Sequence, residues 1–215
     1  KSELKNIPIL LGSTAYMISD CEMRVAHNQA LPKEHSLTVI AEDLQSRYQT
    51  EVFSFATSCT SLAQAIGYAY KMLKVGMYKK ALVVGFEMFN RLTFEHFQSM
   101  NLLSQANEYQ PFINSTGIVL GEGVGSVALS TEKNESFPCE IFGITTITDN
   151  ENLTNSSETA LRQLLTNCLA KTNLKIENIQ GIKVHGVGGN SDEMEKSVLQ
   201  ELFPNTETIL VKPYM

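Results

Sequence analysis

Long apolar runs, excess positive charge and closely spaced cysteines are all missing from this sequence, and each absence removes a class of function. No apolar stretch approaches the ~20 residues needed to span a bilayer as a helix. The opening "KSELKNIPILLGS" is charged and only briefly apolar, a poor signal peptide. The net charge is −6, which gives no reason to expect nucleic acid or an anionic membrane as partner. The four cysteines, Cys21, Cys59, Cys139 and Cys168, form no CxxC pair of the kind that makes a zinc site or redox dithiol. Reduced thiols in a cytoplasmic protein are the simpler reading. There is also no low-complexity segment, and no repeat at about 20–50 residues of the kind that marks a solenoid.

What is present is an ordinary globular composition: 215 residues, 43% hydrophobic and 19% charged. That suits one compact domain or most of a larger one. Short β-rich runs alternate with amphipathic helical patterns. "EVFSFA" (51–56) reads as a strand. After it, Leu62, Ile66, Ala69 and Leu73 recur at helical spacing, with Gly76 as a C-terminal stop. "ALVVGFE" (81–87) is continuously apolar, as expected of a strand covered on both faces. Strands are also expected at "GSVALS" (125–130), "CEIFGITTI" (139–147), "GIKVHG" (181–186) and "ETILVKPYM" (207–215). Two more helices are expected, one on the stripe Leu161, Leu164, Leu165, Cys168 and Leu169, the other on Met194, Val198, Leu199 and Leu202. The alternation predicts α/β layers around a largely buried sheet.

Three stretches could carry chemistry. In "TSCTS" (57–61), Cys59 falls between a strand and a helix. Unpaired N–H groups and the helix dipole there favour a thiolate and can hold an oxyanion. Free cysteines are, however, among the most buried residue types, so position alone leaves Cys59 between nucleophile and packed small residue. Cys168, in an apolar stripe, and Cys139, opening a strand, read as core; nothing singles out Cys21. In "VHGVGGNSDEMEK" (184–196), His185 ends a strand and is followed by glycines that let backbone approach a ligand. Asp192, Glu193 and Glu195 at the following helix start are explained by the dipole alone. His27, His35 and His96 lack this context and read as surface or packing residues. In "GIVLGEGVGSVAL" (117–129) the glycines run into a strand, not a helix, which argues against a dinucleotide fingerprint.

Taken in order, these segments resemble the β-ketoacyl synthases, the condensing enzymes of fatty-acid and polyketide synthesis. "FSFATSCTSLAQAIGYAYKMLKVGMYKKALVVGFE" is similar to the family's nucleophile segment. "FEHFQSMNLLSQ" resembles its Gly-Phe…Leu-Ser segment, and "QPFINSTGIVLGEGVGSVAL" its Arg-Pro-Phe-Asp…Gly-Glu-Gly segment. "VHGVGG…DEME" resembles its His-Gly-Thr-Gly-Thr motif, and "VKPYM" its lysine motif. The resemblance implies a thiolase-like layered α/β/α/β/α fold, incomplete here. Residues 1–150 would cover most of the N-terminal half, and 151–215 the start of the C-terminal half. The family's first βαβ segment would precede Lys1 and its Gly-His-x-x-Gly motif would follow Met215. Such a piece is expected to expose apolar sheet surface.

The resemblance also implies roles. Cys59 would take an acyl group from a carrier protein. His185 would stabilise the enolate as malonyl-carrier protein loses carbon dioxide. Lys212 would support the histidine, with Glu195, Asp192 and Glu122 as supporting acids, and Phe97 would lie in the segment lining the acyl pocket. It implies no bound cofactor and no metal, the substrates riding on the phosphopantetheine arm of an acyl-carrier protein. It further implies a homodimer, or a heterodimer with a related synthase or chain-length factor. The departures are Val187 and Gly189 for two threonines, Gln110 and Ile113 for an arginine and an aspartate, and His96 for a glycine. Asp192 and Glu195 also stand one residue nearer His185 than usual. The competing reading is a non-catalytic partner of the chain-length-factor type, which the retained Cys59, His185 and Lys212 oppose.

Overall fold

The computed structural model describes residues 4–114, 116–133, 139–150 and 157–214. They fall into two compact units, residues 1–96 with 121–141, and residues 97–120 with 142–215.

The first unit is built on a four-stranded sheet of order β2-β1-β3-β4. Its strands are β1 (Ile9–Gly12), β2 (Val52–Phe55), β3 (Lys80–Glu87) and β4 (Gly123–Ser130). β1 runs parallel to both β2 and β3, and β4 closes antiparallel on β3. The four residues of β1, "ILLG", are all buried, which is why they show no alternation. Around the sheet lie α1 (Ile18–Ala26), α2 (Leu37–Tyr48), α3 (Ser61–Lys74) and α4 (Arg91–Ser99), the unit boundary falling within α4 after His96.

α3 supplies half of the buried residues of the main core cluster. Its buried Ala65, Ala69 and Leu73 meet Leu10 of β1 and Ala81 and Val83 of β3, with Phe53, Phe55, Ile66 and Leu129 packed round them. Burying a side chain such as Leu10 or Val83 is worth about 1.5–3 kcal/mol. Small residues on the α3 face bring helix and sheet close together. The helix ends where Gly76 takes φ +76°, and the N–H of Met77 reaches the carbonyl of Met72, a glycine-capped stop.

The closest approach is at the start of α3. The strand register sets Phe55, Gly12, Gly85 and Gly125 in one row across the sheet. A Cβ on Gly12 would lie 2.8 Å from the Leu62 backbone nitrogen, and one on Gly85 would lie 2.7 Å from the Leu62 side chain. A Cβ on Gly125 would meet nothing within 4 Å. Two glycines of the row therefore make room for the first turn of α3. β4 shows its outer surface, with Val124 77% exposed, so apolar sheet surface is open as expected.

The second unit holds the parallel pair β5 (Gly181–Lys183) and β6 (Glu207–Ile209) with α5 (Glu158–Thr172) and α6 (Asp192–Leu202). Ser157 caps α5 by accepting the N–H of Ala160, and Arg162 bridges Glu158 to Glu201 of α6. Val184, Leu199 and Phe203 are buried among Phe112, Leu165, Leu169, Ile182 and Leu210.

Several expectations need correcting. Residues 139–147 are not a strand. They have no ladder partner among the described residues. The Lys171 ammonium, donating to the Ile144 carbonyl, and Gly143 against the Thr172 methyl hold them near the end of α5. Cys139 is exposed, not core, for the same reason. The last segment stops pairing at Ile209 and curls into a 3-10 turn at Lys212–Tyr214, where Pro213 cannot donate to a ladder. Met215 and parts of the polar stretch 148–158 lie outside the described residues.

The Gly12→Ala variant is expected to lose about 1–3 kcal/mol of stability through forced overpacking against Leu62. Gly125→Ala should stay within about 0.5 kcal/mol of the parent. Urea denaturation of the two variants side by side measures this, and equal midpoints would show that the close approach is not a constraint.

Candidate active site

Cys59 lies in a 3-10 turn, Ser58–Thr60, that joins β2 directly to α3. Its side chain is exposed. The residue before it, Ser58, has φ +55°, a left-handed conformation that costs a non-glycine residue about 1–2 kcal/mol. Hydrogen bonds hold it there. The Ser58 carbonyl accepts from the Thr14 hydroxyl (3.0 Å), the Ser61 hydroxyl (2.6 Å) and the Ser61 N–H. Ser61 Oγ in turn accepts the Thr57 N–H at 2.9 Å, and the Thr60 hydroxyl donates to the Thr57 carbonyl at 2.8 Å. At roughly 0.5–1.5 kcal/mol each, these bonds offset the strained backbone. The small hydroxyl residues flanking the cysteine are thus the turn's scaffold, and α3 begins with its positive dipole end beside the thiol.

Behind the turn, the loop after β1 is fixed from β3. The Glu87 carboxylate accepts the N–H of Thr14 on one oxygen and the N–H of Ala15 on the other, both at 2.8 Å. Sequence reasoning missed Thr14 and Ser61 and placed Glu87 only as the end of a strand. A lone acid closing an apolar strand was the one available signal.

The second group is in the other unit. His185 follows β5, and its loop is clamped by two carboxylates one helical turn apart on α6. Asp192, fully buried, accepts the N–H groups of Val187 (3.0 Å), Gly188 (2.9 Å) and Phe112 (3.0 Å). Glu195 accepts those of His185 (2.7 Å) and Gly186 (3.0 Å). Gly186 and Gly188 take φ +44° and +78°, and a Cβ on Gly188 would press within 2.4 Å of the Gly117 carbonyl oxygen. The loop around Gly117 is tied in by its own N–H donating to the Gly188 carbonyl at 2.8 Å. Val187 and Gly189, the threonine replacements, engage Asp192 through their backbones. The replacements change what the loop presents, not how it is held.

Lys212 reaches the same histidine. Its ammonium donates to the His185 carbonyl and lies 3.5 Å from His185 Nδ1. An ammonium has only donors, so this contact makes Nδ1 an acceptor and leaves the imidazole proton on Nε2. His185 is exposed as a residue, between the buried Val184 and Gly186. Burial, then the Lys212 charge, hold His185 below its ordinary value of 6.5, with Glu195 opposing. Burial, then Lys183, lower the Lys212 ammonium as well. Glu195 acts on Lys212 only through its field, since no ion pair joins them among the described residues.

The structure therefore brings His185, Lys212, Glu195 and Asp192 together. Glu122 belongs to the first unit, where it accepts the Phe89 N–H at 3.0 Å just before β4. Phe97 sits half-buried late in α4, its carbonyl accepting the Leu102 N–H. No cluster of three His, Cys, Asp or Glu side chains suited to a metal occurs among the described residues.

Residues 45–135 match the family model described as the β-ketoacyl synthase N-terminal domain, the stretch that contains the Cys59 turn. Over that stretch the chain is similar to the ketosynthases. It is 26% identical over 160 residues to nodulation protein E of Rhizobium sp. (strain N33), covering 71% of this chain and 40% of that protein. The ketosynthase ApeO in complex with its chain length factor ApeC, from Xenorhabdus doucetiae, superposes with a TM-score of 0.84 at 22% identity. That match covers 97% of this chain and 56% of the other. A β-ketoacyl synthase of Burkholderia phymatum STM815 gives 0.80 at 18% identity, over 97% and 57%. The fold is thus the thiolase-like fold of the ketosynthases, and the chain spans about half the length of these relatives. No helix of the described residues is long and apolar enough to cross a membrane.

Because folding lowers the His185 pKa, the folded state binds fewer protons near pH 6.5, and stability is lost as pH falls through the folded value. An NMR titration of the His185 imidazole should give a midpoint below 6.5 that rises in Lys212→Met, where one of the two main lowering causes is removed. A parent midpoint at or above 6.5, or a downward move in the variant, would contradict the described environment.

Proposed function

We propose that this chain carries chemistry of a β-ketoacyl-acyl-carrier-protein synthase, joining an acyl thioester to malonyl-carrier protein by decarboxylative Claisen condensation. The observation that carries this reading is the exposed Cys59 on a turn whose backbone is fixed by hydroxyl groups at the start of a buried helix. The Cys59 thiolate attacks the acyl thioester carbonyl. The α3 N-terminus stabilises the oxyanion, and the carrier's thiol leaves with a proton, giving an acyl-cysteine. Malonyl-carrier protein then loses carbon dioxide, and the resulting enolate carbon attacks the acyl-cysteine carbonyl, releasing Cys59. His185 Nε2–H donates to the enolate oxygen, a role that needs the neutral ring its lowered pKa supplies. Lys212 holds the tautomer, and Glu195 and Asp192 hold the loop. Substrates arrive on the phosphopantetheine arm of an acyl-carrier protein, in the cytoplasm. The chain pairs with a second copy or a related synthase, and fatty-acid or polyketide-type synthesis is the setting.

A second reading, a non-catalytic partner of the chain-length-factor type, draws support from Val187 and Gly189, which lack the hydroxyls the family uses on the pantetheine arm. The retained cysteine favours the first reading.

Incubation with medium-chain acyl-carrier protein should add one acyl group to the intact mass, and Cys59→Ala should abolish the adduct. A folded chain that takes no acyl group from any of a range of carriers would favour the non-catalytic reading.

A further inference from the structure

We infer that Glu87 is the positioning residue of the Cys59 turn, acting through Thr14; as a statement about catalysis, this rests on the acyl-loading role proposed above. Glu87 ends β3, 28 positions along the chain from Cys59, and its carboxylate does not reach the turn itself. Both of its oxygens are committed to the loop after β1, at 2.8 Å to the N–H of Thr14 and 2.8 Å to the N–H of Ala15. A carboxylate offers one oxygen to each of two adjacent backbone donors, whereas a neutral amide has a single acceptor oxygen to share between them. The same Thr14 turns its hydroxyl to the Ser58 carbonyl at 3.0 Å, the carbonyl of the residue held at φ +55° immediately before the cysteine.

One unbroken chain of bonds therefore runs from β3 through Thr14 to the strained residue. Ser13 braces the same loop by accepting the Tyr16 N–H at 3.0 Å. The Ser58 carbonyl has local partners in Ser61, but Thr14 is the partner that ties it to the sheet. Without that tie the Ser58 carbonyl keeps, among the described residues, only its partners in Ser61. A Cβ on Gly12, at the root of this loop, would already meet the Leu62 backbone, so the loop leaves the sheet close beside the start of α3. The backbone of the Cys59 turn is thus tied to the sheet by a carboxylate that bonds only the loop after β1.

Glu87→Gln leaves one acceptor oxygen and turns an NH2 toward the other backbone N–H. Thr14→Val removes the hydroxyl, and Thr14→Ser restores it. On the full chain, amide exchange of the peptide covering 57–61 should quicken in Glu87→Gln and in Thr14→Val but not in Thr14→Ser. Acylation of Cys59 by medium-chain acyl-carrier protein should slow roughly 10–100-fold in the first two variants. Iodoacetamide alkylation of Cys59, followed on its own peptide, should change far less, because it needs no oxyanion contact. Unfolded chain is still alkylated but not acylated, so the ratio is read only on variants whose amide exchange outside 57–61 matches the parent's. Unchanged exchange at 57–61 in both Glu87→Gln and Thr14→Val overturns the inference whatever acylation does. So does an acylation-to-alkylation ratio equal to the parent's in Thr14→Val. A parent chain that takes no acyl group, with exchange at 57–61 still quickened in both variants, sinks the acyl-loading reading and leaves the positioning role standing.

Discussion

The first turn of α3 lies so close to the sheet that Gly12 and Gly85, paired across β1 and β3, have no room for a Cβ beside Leu62, and the rest of the nucleophile region follows from that contact. With the helix start pinned against two strands, the chain leaving β2 has only Ala56 to Thr60 in which to turn from strand to helix. A connection this short cannot stay in relaxed backbone conformations, and Ser58 takes the strain. Hydroxyls of Thr14, Thr60 and Ser61 then hold the strained turn, because each is small enough to reach a carbonyl from its own backbone position. An exposed cysteine on a rigid turn at a helix N-terminus is the outcome.

The His185 region solves a different problem with different chemistry. Here a loop, not a turn, must be held, and its backbone N–H groups point inward with no strand to receive them. Two carboxylates on the first turn of α6 take them, Asp192 three and Glu195 two. A carboxylate accepting several backbone donors tolerates full burial, which explains how Asp192 can be completely inaccessible with no ion pair to it among the described residues. The charge of the site is left to Lys212, which fixes the imidazole tautomer and helps keep the ring neutral.

Much of this was legible because local pattern and tertiary role agree. β3 and α3 are long, strongly patterned and buried, and the motif order from Cys59 to Lys212 pointed to the ketosynthases before any geometry was available. β1 was not legible, since four buried residues have no period to read, yet it is central to the sheet. α1 buries no residue fully and α2 only two, so neither carries a clear apolar stripe. The 139–147 run has strand composition without a strand beside it, and propensity cannot supply a partner. The acids show the same limit. Glu122 looked like part of a glycine-rich motif and proves to cap a loop, whereas Glu87 looked like a strand end and holds the loop behind the nucleophile. Those roles depend on residues more than 30 positions away, where sequence spacing carries no information.

The central claim is that a strained, hydrogen-bonded turn presents Cys59 as the reactive group, and a crystal structure after treatment with a chloroacetyl-pantetheine probe tests it most directly. The account predicts a single adduct on Cys59 Sγ, with Ser58 still at positive φ and its carbonyl still bonded to Thr14 and Ser61. An adduct on Cys21, Cys139 or Cys168 instead, or a Ser58 relaxed to an ordinary helical conformation with the Thr14 bond broken, would contradict it.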